Sequence, residues 1–137
     1  MIREGSVEVL VLLDSTVLID VLRGRPAGER LIGLERAGDV PCTTAINVEE
    51  IVRGALPRET ETVRRLFAGL DVLPIGRAEG WHAGEWRAHF AARGVTLSQS
   101  DALIASAAYL AGARLATGNP RDFPMTELTV EHWPVGA

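Results

Sequence analysis

Apolar residues arrive in two rhythms along this chain. In VEVLVLLD (7–14) they run almost unbroken, the pattern of a strand covered on both faces, as parallel strands are. VPCT (40–43), DVLPI (71–75) and ARLATG (113–118) read as further strands, and TELTVEHWPV (126–135) as a last one. Between them the apolar residues recur at helical spacing. TVLIDVLRG ends near Gly24, PAGERLIGLERAGD has Pro26 near its start and Gly38 at its close, and AINVEEIVRGA (45–55) follows. ETETVRRLFAGL (59–70), AEGWHAGEWRAHFAARG (78–94) and SQSDALIASAAYLAG (98–112) complete the helices, and NPRDFP (119–124) reads as a loop. Strands interleaved with helices predict an α/β fold: one domain over residues 1–137, a mostly parallel central sheet of four to five strands flanked by helices.

Acidic residues recur where strands stop. Asp14 closes the first strand, Glu50 sits on the helix after the second, Asp101 opens the helix after residue 98, and Asp122 lies in the loop after ARLATG. Ligands of open parallel sheets gather at the strands' carboxyl ends. If the first, second and ARLAT strands are neighbours, Asp14, Asp122 and the helix bearing Glu50 converge there. Carboxylates so crowded raise one another's pKa, and a hard divalent cation relieves the repulsion. Oxygen-only ligands suit Mg²⁺ or Mn²⁺, which can activate water for attack on a phosphate.

Each acid also has a plainer reading. Asp14 is placed to cap the TVLID helix, Ser98 to Asp101 fits a capping box, and Asp122 suits a turn. Val48, Ile51, Val52 and Ala55 predict the apolar face of their helix, with Glu50 turned away from it, and periodicity alone leaves Glu49 and Glu50 equivalent.

Composition narrows the field. No stretch approaches the roughly 18 apolar residues of a membrane span, and no export signal precedes the first strand. Cys42 is the lone cysteine, so no intrachain disulfide forms, as expected of a cytoplasmic protein. A net charge of −4 argues against bulk coating of nucleic acid. Every basic residue apart from histidine is Arg, so a lysine base, a P-loop or a receiver-type phosphoacceptor aspartate has no lysine to serve it. No GxGxxG follows the first strand.

LLDSTVLID, TTAINVEEIVRG, SQSDALIASAA and ATGNPRDF, in that order and at these separations, together resemble the signature blocks of PIN-domain nucleases, most of all the VapC toxins of toxin–antitoxin pairs. The resemblance spans about residues 9–135. It implies a Rossmann-like strand order, with metal ligands on Asp14, Glu50 (from EIVRG, against Glu49), Asp101 and Asp122. Thr16, Thr117 and Asn119 fall at its accompanying polar positions. It further implies a Mg²⁺ or Mn²⁺ cofactor, cleavage of structured RNA such as tRNA or rRNA, a VapB-type antitoxin partner whose tail covers the active-site groove, and a homodimer. One departure is the thirteen residues before Asp14, where relatives have few, so residues 1–6 read as a disordered arm or a mis-assigned start.

Other features carry weaker expectations. His82 and His89, seven apart, share a helix face and would suit histidine acid–base cleavage. Trp81, Trp86 and Trp133 would pack the core or a dimer surface, or stack on bases. Arg23, Arg25, Arg53, Arg87, Arg93 and Arg121 are candidates for RNA phosphates, Arg121 foremost. A housekeeping RNA-processing nuclease and a non-catalytic partner-binding module are the competing functions. The occupied acidic positions speak against the latter.

Overall fold

A computed structural model describes residues 8–136, so the expected arm at residues 1–6 lies outside the described residues. Five strands form one sheet: β1 (Leu10–Leu13), β2 (Val40–Thr43), β3 (Asp71–Val72), β4 (Arg114–Thr117) and β5 (Val130–His132). Its order is β3-β2-β1-β4-β5, and every pairing is parallel. The helices are α1 (Ser15–Leu22), α2 (Pro26–Arg36), α3 (Ala45–Gly54), α4 (Thr60–Ala68), α5 (Arg77–Ala91) and α6 (Gln99–Leu110). Short 3-10 turns at Pro57–Glu59 and Pro120–Asp122 precede α4 and interrupt the expected NPRDFP loop.

Alternation along each strand sends neighbouring side chains to opposite faces. Leu12, Cys42 and Leu115 face α5 and α6, meeting Trp86, Ala102, Ile104 and Ala105. Val11, Leu13 and Ala116 face the other layer, with Val17 and Leu18 of α1, Leu31 and Leu34 of α2, Ile51 of α3 and Val63 of α4. Both faces of the central strands are therefore dry, which is why their sequences lack a polar alternation. Each fully buried leucine here contributes about 1.5–3 kcal/mol of burial. The alanine-rich α6 packs closely on α5, and the buried Ser106 hydroxyl donates to the Glu79 carbonyl at 2.8 Å. At the close of α2, Gly38 takes φ +84° while Asp39 N donates to Leu34 O at 3.2 Å, a turn that suits glycine.

Two strands are shorter than their apolar runs. β1 begins at Leu10, leaving out Glu8 and Val9 of its expected run, whose residue 7 lies outside the described residues, and β3 is only two residues of the expected 71–75, because Pro74 cannot donate to a ladder. Shortness of β3 also accommodates Pro41 inside β2. Pairing with β3 starts at Cys42, so no ladder bond on that side is needed at the proline.

The Cys42 thiol is buried against this sheet, and burial first, then the nearby Asp71 carboxylate, push its pKa up to about 11, against a lowering contact from the Val11 backbone. The reactive thiolate is therefore scarce at any pH below that value. A disulfide-exchange reagent at mildly alkaline pH should label the native chain far more slowly than the denatured chain. Equal rates would contradict the buried placement.

Candidate active site

The strand order puts the carboxyl ends of β2, β1 and β4 side by side. Asp14 follows β1, and its amide continues the ladder to Ala116 O at 2.9 Å. It occupies the N-cap position of α1, yet its side chain makes no capping bond. The capping expectation for Asp14 therefore fails. Its Oδ2 instead accepts from the hydroxyls of Thr117 at 2.8 Å and Thr16 at 3.1 Å. Each hydroxyl is already an acceptor, Thr16 Oγ1 from Gly118 N at 2.9 Å and Thr117 Oγ1 from Asn119 N at 3.0 Å. A hydroxyl has one proton to give, so the two backbone amides aim both protons at Asp14.

Glu50 is held from a second direction. Thr44 caps α3, its Oγ1 accepting from Asn47 N at 3.3 Å and donating to Asn47 Oδ1 at 2.7 Å. Asn47 Nδ2 then donates to Ser15 Oγ at 3.1 Å, and Ser15 Oγ donates to Glu50 Oε1 at 2.9 Å. This relay fixes the glutamate carboxylate next to the strand ends. Glu49 lies on the exposed side, 3.4 Å from Arg53. The predicted apolar face of α3 needs correction, since Val52 is 56% exposed and the buried positions are Asn47 and Ile51. Asn47 is buried because its side chain bridges Thr44 and Ser15. Sequence reasoning missed Ser15 and Asn47. The signals were the hydroxyl directly after Asp14 and the i, i+3 spacing of Asn47 and Glu50.

Asp101 enters from α6, where Ser98 Oγ caps the helix by accepting from Asp101 N at 3.1 Å. The Asp101 carboxyl is partly buried, and its pKa is raised by desolvation foremost. A hydrogen bond from Ser98 works the other way, and the carboxylates of Asp122, Asp14 and Glu50 raise it further. The other three predicted acids thus lie within electrostatic reach of Asp101. Asp122 sits in the 3-10 turn after β4, where Asn119 Nδ2 donates to its Oδ2 at 2.9 Å.

Among the described residues, none of the four acids is ion-paired to an arginine. Nor, among them, does any group of three His, Cys, Asp or Glu side chains stand ready to hold an ion. The acids share a field rather than a finished coordination shell. Oxygen-only donors whose mutual repulsion is uncompensated fit a hard divalent cation better than any softer metal.

The remaining candidates lie elsewhere. His82 is stacked on Tyr109 and edge-on to Trp86, and His89 Nδ1 contacts Arg93 at 3.1 Å, so the two histidines serve α5 and α6 packing and its surface. Trp86 and Trp133 are buried, whereas Trp81 is 73% exposed. Arg23 pairs with Glu59 at 2.9 Å and Arg87 donates to Leu97 O, while Arg121 is exposed beside Asp122.

Comparison with known proteins places this geometry. The family model described as PIN domain matches residues 11–126. Ribonuclease VapC10 of Mycobacterium tuberculosis is 30% identical over 118 residues, covering 86% of this chain and 89% of that protein. The tRNA(fMet)-specific endonuclease VapC of Shigella flexneri is 27% identical over 128 residues, covering 89% and 96%. Among solved structures, DNA-bound VapBC from Salmonella typhimurium superimposes with a TM-score of 0.79 at 24% identity over 91% of this chain and 98% of that one, which establishes the shared fold.

Replacing the fully buried Asn47 by Leu keeps the branched outline at a larger volume and strips partners from Thr44 and Ser15. Urea unfolding of Asn47→Leu should show a loss of about 1–3 kcal/mol, the range for buried hydrogen-bonding groups left unpaired. A variant as stable as the parent would show that the relay is incidental.

Proposed function

Since the chain belongs to the PIN-domain family and its relatives include VapC ribonucleases, we propose that it is a metal-dependent endoribonuclease acting on structured RNA, tRNA or rRNA, as the toxin of a VapBC-type pair. One observation carries this reading: Asp101 feels the charges of Asp122, Asp14 and Glu50, residues brought from four separate segments to one sheet edge. Asp14, Glu50, Asp101 and Asp122 would hold Mg²⁺ or Mn²⁺, which when bound stabilises charge on phosphate oxygens and lowers the pKa of an attacking water.

The chain's own residues prepare that site. Thr16 and Thr117 keep Asp14 in one orientation, Ser15 does the same for Glu50, and Asn119 for Asp122. Such preorganisation matters because a carboxylate free to rotate would have to be ordered at each turnover. Arg121, exposed next to Asp122, is positioned to take an RNA phosphate.

An apolar cleft beside the site supports the antitoxin partner. Ile19 and Leu22 of α1 face Ile51, Gly54 and Ala55 of α3, with Glu50 and Arg23 at its border. Ile19 remains exposed along it, where an antitoxin tail would cover it and the acids together. This cleft favours the toxin over the housekeeping nuclease. The exposed Trp81 supports the homodimer.

Purified protein should cut RNA only when Mg²⁺ or Mn²⁺ is supplied, and Asp14→Ala or Asp101→Ala should abolish cleavage while leaving the circular dichroism spectrum intact. Cleavage in chelator, or full activity of both variants, would overturn the metal-dependent mechanism at these acids. For the partner, induced expression should arrest growth, and co-expression of the neighbouring small gene should relieve it. Arrest that the neighbour leaves untouched would count against the toxin–antitoxin role.

A further inference from the structure

Beyond β5 the chain passes through Trp133, Pro134, Val135 and Gly136 and crosses back toward α1. Gly136 N donates to Asp20 Oδ1 at 2.9 Å. Asp20, only 1% exposed, also accepts at Oδ2 from Ala27 N in the first turn of α2 at 3.1 Å, with the Arg25 guanidinium 3.9 Å away. A carboxylate so buried is tolerable only when its oxygens are occupied, so Asp20 ties α1, α2 and the segment after β5 together.

Val135 is pressed onto the site by this anchor. A Cβ on Gly118 would lie 2.7 Å and 2.8 Å from the two Val135 methyls and 3.3 Å from Thr16 Oγ1. Gly118 does not take a positive φ, so glycine is demanded here by space rather than by conformation. Its amide is the one that Thr16 Oγ1 accepts, and Thr16 in turn donates to Asp14.

We propose that residues 133–136, pinned by Asp20, form a positioning strap: Val135 resting on Gly118 sets the approach of the Gly118 amide to Thr16, and through Thr16 the orientation of Asp14. Val135, Gly118 and Asp20 are positioning residues that touch neither substrate nor ion. The catalytic part of this inference rests on the nuclease reading above.

Two measurements test it. In the first, Gly118→Ala and Gly118→Ala/Val135→Ala are compared with the parent for RNA cleavage, under conditions where all are folded by circular dichroism. A misplaced Asp14 should lower the kcat of Gly118→Ala by about tenfold or more with little change in KM. Removing the Val135 methyls should restore most of that loss, a rescue that general destabilisation would not produce. Undiminished kcat in the single variant, or a double variant no better than the single, would refute the strap.

In the second, amide hydrogen exchange at Gly118 is followed in a chain ended at Pro134, and in Val135→Ala should that shorter chain fail to fold. Exchange at Gly118 should quicken while Leu12 in β1 keeps its protection. Unchanged exchange at Gly118 would refute the strap. This second readout needs no activity, so a parent protein that cuts no RNA would defeat the nuclease reading and leave the strap to be judged by exchange.

Discussion

Like charges gathered at one edge of a sheet repel one another, and the sheet must be stable enough to hold them there. Here the parallel order β3-β2-β1-β4-β5 does so. Strands β2, β1 and β4 all point the same way, so the segments leaving them emerge together, and α6 adds Asp101 from above. The cost appears on Asp101, whose proton is held more tightly by burial and by three neighbouring carboxylates, despite the opposing bond from Ser98. Two dry faces packed against the sheet supply the stability that offsets this.

Around the acids the structure spends hydroxyls and an amide rather than arginines. Thr16 and Thr117 receive backbone amides and pass their protons to Asp14, while Thr44 and Asn47 work through Ser15 on Glu50. Neutral donors orient a carboxylate without cancelling its charge. An arginine in the same place would have neutralised the acids. The choice of partners therefore leaves the carboxylates charged as well as oriented.

Much of this was legible in the chain itself. Continuous apolar runs marked the strands, and VPCT matched β2 at both ends because polar or helical residues bound it closely. DVLPI misled at its far end because its apolar residues belong partly to a connection whose proline cannot pair. On α3 the expected apolar face included Val52, since periodicity assigns faces by residue type. It cannot register that a buried asparagine with good partners outranks a valine at the surface. Asp14 read equally well as a helix cap, and the hydroxyls of Thr16 and of Thr117, 103 positions away, decided otherwise.

The sequence by itself determined the alternation of strands and helices, the absence of lysine chemistry, and Asp14 at the exit of the first strand, because these follow from local periodicity and composition, whereas Glu50 was separated from Glu49 only by the resemblance of EIVRG to the family pattern. Tertiary structure decided which groups serve those acids: Asn47 through Ser15 for Glu50, and the Gly118 amide through Thr16 for Asp14. Hydrogen bonds are short and directional, so their partners are chosen by how layers dock. A pattern along the chain carries no record of that docking.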